Sequence, residues 1–169
     1  LEPIMIDPEE NPREFLLALP GAEQQCIRNG IAPARLEQVL DIGDTTEAED
    51  SVFLKCISQD TLVRIMVGSF ARLANPLSQE TMDCLWNTLG EADLSPAFDM
   101  NKDEEPSLAF FLPFISASLC FSAESVARIQ TTTHGGFPIA EMRCLAQRVD
   151  LEQLPSLFLD GMEGLPPAD

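Results

Sequence analysis

Apolar positions recur along the chain at helical spacing, in short runs that each end at a helix breaker. Phe15, Leu16 and Leu19 stand at i, i+1 and i+4 behind Pro12, which suits the first turn of a helix. Pro20 opens a second helix that carries Cys26 and Ile27 and stops near Gly30. Leu36, Val39 and Leu40 give one apolar face behind Pro33. Thr46-Glu47-Ala48-Glu49 has capping-box spacing and predicts a helix over about 47–57. Ser58 caps the next, with Asp60 near its positive end and Leu62, Ile65, Met66 and Phe70 as its stripe. Gly68 weakens that helix. Ser78 caps a helix with Cys84, Leu85 and Leu89, and Gly90 is expected to end it.

Two stretches differ. Residues 1–12 predict an extended arm: Pro3, Pro8 and Pro12 block a helix, and Ile4 and Ile6 alternate with Met5 and Asp7. The arm straps onto the core or adds to a neighbouring subunit. Leu108 to Phe121 is apolar nearly all round, interrupted by Pro113, as a central helix buried on all sides would be. Its alternative is an exposed face for a partner or a lipid-like ligand at Phe110, Phe111 and Phe114. No alternating strand of useful length occurs beyond the arm, so the class is all-α.

The runs repeat. Cys56-Ile57-Ser58-Gln59-Asp60-Thr61-Leu62-Val63-Arg64-Ile65 returns as Cys120-Phe121-Ser122-Ala123-Glu124-Ser125-Val126-Ala127-Arg128-Ile129. Pro20 to Ile27 returns as Pro138 to Leu145, with a looser middle copy from Ser78 to Leu85. Self-similarity of this kind reports architecture before chemistry. The period is about 60 residues, which gives two complete units and a partial third. The expected organisation is an arm over 1–12, units over 13–75 and 76–137, a partial unit over 138–159 and a Gly- and Pro-rich tail over 160–169, with the units sharing one core.

Composition then narrows the function classes. The 169 residues are 45% hydrophobic, enough to bury a core. There are 28 acidic and 10 basic residues, a formal net charge of −18. Nucleic acid is a poor partner, because phosphate neutralisation needs clustered Lys and Arg. A cationic partner, or non-specific divalent cations on the acidic surface, suits the charge better. No run reaches the apolar length of a membrane span. The chain opens on Leu1 rather than Met, as a processed export product or a trimmed fragment would.

Each complete unit carries one cysteine in its first helix and one just before a Ser cap. The pairing that respects the repeat is Cys26–Cys56 and Cys84–Cys120, with Cys144 left over: the first expectation is that it stays buried, and the alternatives are that it pairs in another part of a longer protein or links two subunits. Closing a loop of about 30 residues contributes about 3–4 kcal/mol by the chain-entropy estimate. A shifted pairing, Cys56–Cys84 and Cys120–Cys144, and five reduced core thiols are the alternatives. Disulfides imply an oxidising compartment. No Cys/His cluster has metal-ligand spacing, and no cofactor is expected.

Candidate chemistry is sparse. His134, the single histidine, sits beside Gly135-Gly136 with no nucleophile or metal set to serve. The acidic runs Asp41 to Asp50 and Asp99 to Glu105 do not match a calcium loop, and helix N-terminal charge explains part of each. Asp60–Arg64 and Glu124–Arg128 are i,i+4 pairs, and each arginine is expected to close a salt bridge.

The Ser-x-Glu-Thr-x-x-Cys-Leu element at Ser78 to Leu85 and the Cys-Ile-Ser-x-Asp-Thr element at Cys56 to Thr61 resemble those of uncharacterised exported proteins of environmental, often filamentous, bacteria. The resemblance covers roughly residues 13–159. It implies an extracytoplasmic location and no activity. The expectation is a non-catalytic structural or interaction subunit of a surface assembly, filament or envelope complex, with protein subunits as partners. Its alternative is a helical module for a small apolar or lipid-like ligand held near Phe110, Phe111 and Phe114. An enzyme stands third.

Overall fold

The computed structural model describes residues 2–74, 76–98, 108–132 and 139–148. Among them are ten helices and no strand: α1 (Pro12–Ala18), α2 (Gly21–Gly30), α3 (Pro33–Ile42), α4 (Glu47–Cys56), α5 (Gln59–Leu73), α6 (Gln79–Glu91), α7 (Ser95–Phe98), α8 (Leu108–Ser118), α9 (Ala123–Thr132) and α10 (Ile139–Arg148). The fold is all-α and carries the two disulfides Cys26–Cys56 and Cys84–Cys120. His134, the run from Asp99 to Glu105 and the tail lie outside the described residues.

Local chemistry explains most helix starts. Ser58, Ser78 and Ser122 each accept a hydrogen bond on the side-chain oxygen from the backbone N–H three residues on, at 3.4, 3.1 and 3.2 Å. Each satisfies one of the orphan donors of a first turn. Pro12 and Pro33 open α1 and α3. Gly43 ends α3 with φ 76°, a left-handed cap that costs glycine nothing. Gly90 does not stop α6, which runs one residue further to Glu91.

The described helices follow the repeat. In each complete unit one disulfide joins two helices at matching places: Cys26–Cys56 joins α2 to the end of α4, and Cys84–Cys120 joins α6 to the turn after α8. The next helix, α5 or α9, follows a serine cap, and α10 packs against α8 and α9. The buried apolar residues form two clusters, one of which joins α5 of the first unit to helices of the second. One cluster gathers Leu16, Leu19, Ile27, Leu36 and Leu40 with Ile4 of the arm and Ile65 of α5. The other gathers the rest of α5 with Leu85, Leu89, Phe121, Ile129 and Ile139. The two clusters meet across α5, the longest helix, because its apolar residues occupy two faces.

The arm is a strap. The Ile4 N–H donates to the Arg64 carbonyl at 3.0 Å, and Arg64 Nε donates to the Glu2 carbonyl at 2.9 Å. Arg64 thus serves the arm and not the i,i+4 pair with Asp60. Ile4 is 3% exposed, and Ile6 packs half-buried against the same cluster. Of these two candidate interface residues, Ile4 is thus buried in the core and Ile6 keeps part of its surface exposed. Gly68 makes this possible, since a Cβ there would overlap the Ile4 carbonyl. What read as a weak point in α5 is the groove that seats the arm.

Helix α8 is less buried than its composition suggests. Ile115 and Ala117 are buried, whereas Phe110, Phe111 and Phe114 are half-buried. Phe110 meets Phe111 edge-to-face and Phe114 at a tilt, with ring centroids 5.0 and 5.4 Å apart, and Phe114 meets Phe70 at 6.3 Å. Phe114 therefore joins the core.

Gly68→Ala tests the strap. Alanine is the better helix former, but unseating Ile4 should lower stability by about 1–3 kcal/mol in denaturant unfolding. A neutral or stabilising result would mean the arm is not held in this groove.

Candidate functional site

The most unusual helix is α4. It contains Val52, Phe53 and Leu54, yet none of its residues is fully buried. At ten residues it is too short to be stable alone. It is held at its two ends.

Its C-terminal end is bonded through Cys56 to Cys26 of α2. One turn before Cys26, Glu23 is 8% exposed and reaches the same junction. Glu23 Oε1 accepts from the Ser58 N–H at 3.1 Å, from Ser58 Oγ at 2.6 Å and from Thr61 Oγ1 at 2.9 Å. Glu23 and Cys26 are three residues apart, so they share a face of α2 and clasp the α4–α5 junction together. The cysteine was legible in the sequence. Glu23 was not, because nothing local distinguishes it from other first-turn acids. Gly30 lets Val52 come close, since a Cβ there would overlap the valine side chain.

The N-terminal end carries the capping box expected at Thr46 and Glu49, with Thr46 N–H to Glu49 Oε2 at 2.8 Å and Glu49 N–H to Thr46 Oγ1 at 3.4 Å. Arg35 of α3 adds a bidentate pair: Nε to Glu49 Oε1 at 2.7 Å and Nη2 to Oε2 at 3.0 Å. Nη2 also reaches the Asp44 carbonyl at 3.1 Å. The Arg35 hydrogen bonds, and then the capping-box bonds to Thr46, hold the Glu49 carboxyl down at about 2.

A cleft of about 700 Å³ opens between α4 and the helices α1, α3, α5 and α7. Phe15, Leu40, Phe53, Leu54, Ile65 and Phe98 supply apolar walls, and Glu9, Glu47 and Asp50 supply carboxylates. This is not the place expected for an apolar ligand: Phe110, Phe111 and Phe114 do not line it. The acidic run from Asp41 to Asp50 is partly spent on ion pairs. Arg13 holds Glu37 and Asp41 at 2.9 and 2.7 Å, and Arg35 holds Glu49. Among the described residues no group of His, Cys, Asp and Glu is placed to hold a metal ion. None of their helices is long and apolar enough to cross a membrane.

Cys144 differs from the other four cysteines. It is free and exposed on α10, where burial was expected, because α10 turns Met142 inward instead. Glu141 is exposed beside it.

Residues 76–93 match the family model of the P53 transactivation motif. No curated protein and no solved structure matches the chain. The matched segment is a short part of the chain and is built into the fold here. It contains α6, whose Thr81, Leu85 and Leu89 are buried and whose Cys84 is bonded to Cys120.

The Arg35–Glu49 tie predicts an acid response. Glu49 binds its proton less readily folded than unfolded, so its contribution is complete above the ordinary carboxylate value of 4.5. It is lost as pH falls through that value toward about 2. Melting temperature followed over that range should fall less steeply in Glu49→Gln than in the native chain. Parallel profiles would refute the tie.

Proposed function

We propose that this chain is an extracytoplasmic, non-catalytic interaction subunit that assembles through the exposed face of α10. One observation carries the reading. Glu141 and Cys144 stand on α10 as Glu23 and Cys26 stand on α2, three residues apart in the matching copies of the repeat. In α2 that face clasps a Cys-x-Ser-x-x-Thr segment through a disulfide and three hydrogen bonds. In α10 both residues are exposed, and the other four cysteines are already paired. A matching cysteine-bearing segment of a second subunit suits that face. The intramolecular disulfides support an oxidising compartment, and the resemblance to exported bacterial proteins supports an extracytoplasmic location.

The cleft beneath α4 favours a second reading, a helical module that binds a small apolar ligand. Its volume of about 700 Å³ lies within the range of about 300–1,000 Å³ that small-ligand sites occupy.

Protein from its native source, run without reductant, should migrate as a covalent complex that reduction dissolves. Cys144→Ser should abolish the complex and leave both internal disulfides in place. A monomer in which Cys144 alone labels as a free thiol would overturn the assembly reading.

A further inference from the structure

We propose that the cleft beneath α4 selects a small apolar molecule carrying a positive charge, an aliphatic or aryl-alkyl amine or quaternary ammonium. The proposal rests on the ligand-binding reading of the cleft and adds the charge of its occupant. The walls are hydrocarbon and aromatic: Phe15 and Leu40 from one side, Phe53 and Leu54 from α4, with Phe98 from α7. They give an apolar body its driving force.

The charge follows from which groups line the cleft and which are already committed. Glu9, Glu47 and Asp50 line it, and no lysine, arginine or histidine does. Glu47 and Asp50 sit in the first turn of α4. The arginines on the adjoining helices are engaged elsewhere, Arg13 with Glu37 and Asp41, Arg35 with Glu49, Arg64 with the Glu2 carbonyl and Arg72 with Asp7. Lys55, exposed on α4, lines an adjoining smaller hollow that shares Ser51, Leu54, Ile57 and Leu62 with the cleft, and it does not line the cleft itself. Three carboxylates therefore stand beside an apolar cavity without an ion-pair partner among the described residues. An anionic amphiphile such as a fatty acid would set its head group against them. A cationic head group meets them, with Asp50 half-buried and Glu9 and Glu47 exposed at the rim of the apolar wall. Phe53 and Phe98 also offer aromatic surface to an ammonium group.

The test uses three probes of one shape: 2-naphthylmethylammonium, 2-naphthylmethanol and 2-naphthylacetate, titrated calorimetrically into the full chain with its disulfides intact. The ammonium should bind about tenfold tighter than the alcohol, and the acetate weakest, with the preference narrowing as salt rises. The double variant Glu47→Gln and Asp50→Asn, which keeps the exposed first turn helical, should bring the ammonium down to the affinity of the alcohol. Ser51→Trp, which fills the cleft from α4, should remove binding of all three. Equal affinity for the three probes, or a preference for the acetate, overturns the charge assignment and leaves an apolar cleft standing. Absence of binding by all three, or binding indifferent to Ser51→Trp, overturns the site itself.

Discussion

The clasp between α2 and the α4–α5 junction is the constraint on which the first half of the molecule depends. Helix α4 buries none of its residues fully, so packing alone does not place it. The Cys26–Cys56 bond closes a loop of 30 residues and contributes about 3–4 kcal/mol on the entropic estimate. Full burial of a large apolar side chain is worth about 1.5–3 kcal/mol. One covalent bond thus stands in for roughly two core residues that α4 does not have. Glu23 fixes the same junction from the next turn of α2, and Arg35 fixes the other end of α4 through Glu49. A helix tethered at its ends leaves room beneath its middle, and the cleft occupies that room.

The second unit uses the same covalent plan with different packing. Cys84–Cys120 joins α6 to the turn after α8, and Thr81 stands where Glu23 stands in the first unit. Thr88 Oγ1 lies 3.5 Å from Cys120 Sγ, so a hydroxyl in place of a carboxylate attends this junction. Leu85 and Leu89 of α6 are fully buried beneath it. This unit has a packed interior around its staple, whereas the first has a cleft. The third copy, in α10, keeps the glutamate and the cysteine and turns both outward.

Features set by neighbouring residues were the ones the sequence disclosed. The serine caps, the Thr46–Glu49 box and the proline starts depend on spacings of one turn, and the repeat placed both disulfides in register. Features that depend on distant partners were hidden. Arg35 is fourteen residues from Glu49, and Arg64 is sixty-two from Glu2. Gly68 read as a defect because the arm that needs its bare backbone lies far from it in sequence, at Ile4. Val52, Phe53 and Leu54 read as an ordinary apolar run, and no pattern within α4 reveals that none of them is fully buried. Cys144 was expected to be buried, and it is exposed because α10 turns Met142 inward instead.

The most direct test of this account is amide hydrogen exchange across α4 in the native chain and in the double variant Cys26→Ser, Cys56→Ser. If the tether holds the helix, the amides of residues 47–56 should exchange about a hundredfold or more faster in the variant, while α5 and α6 keep their protection. Protection of α4 that stays equal to that of α5 without the disulfide would contradict the account and return α4 to the packed core.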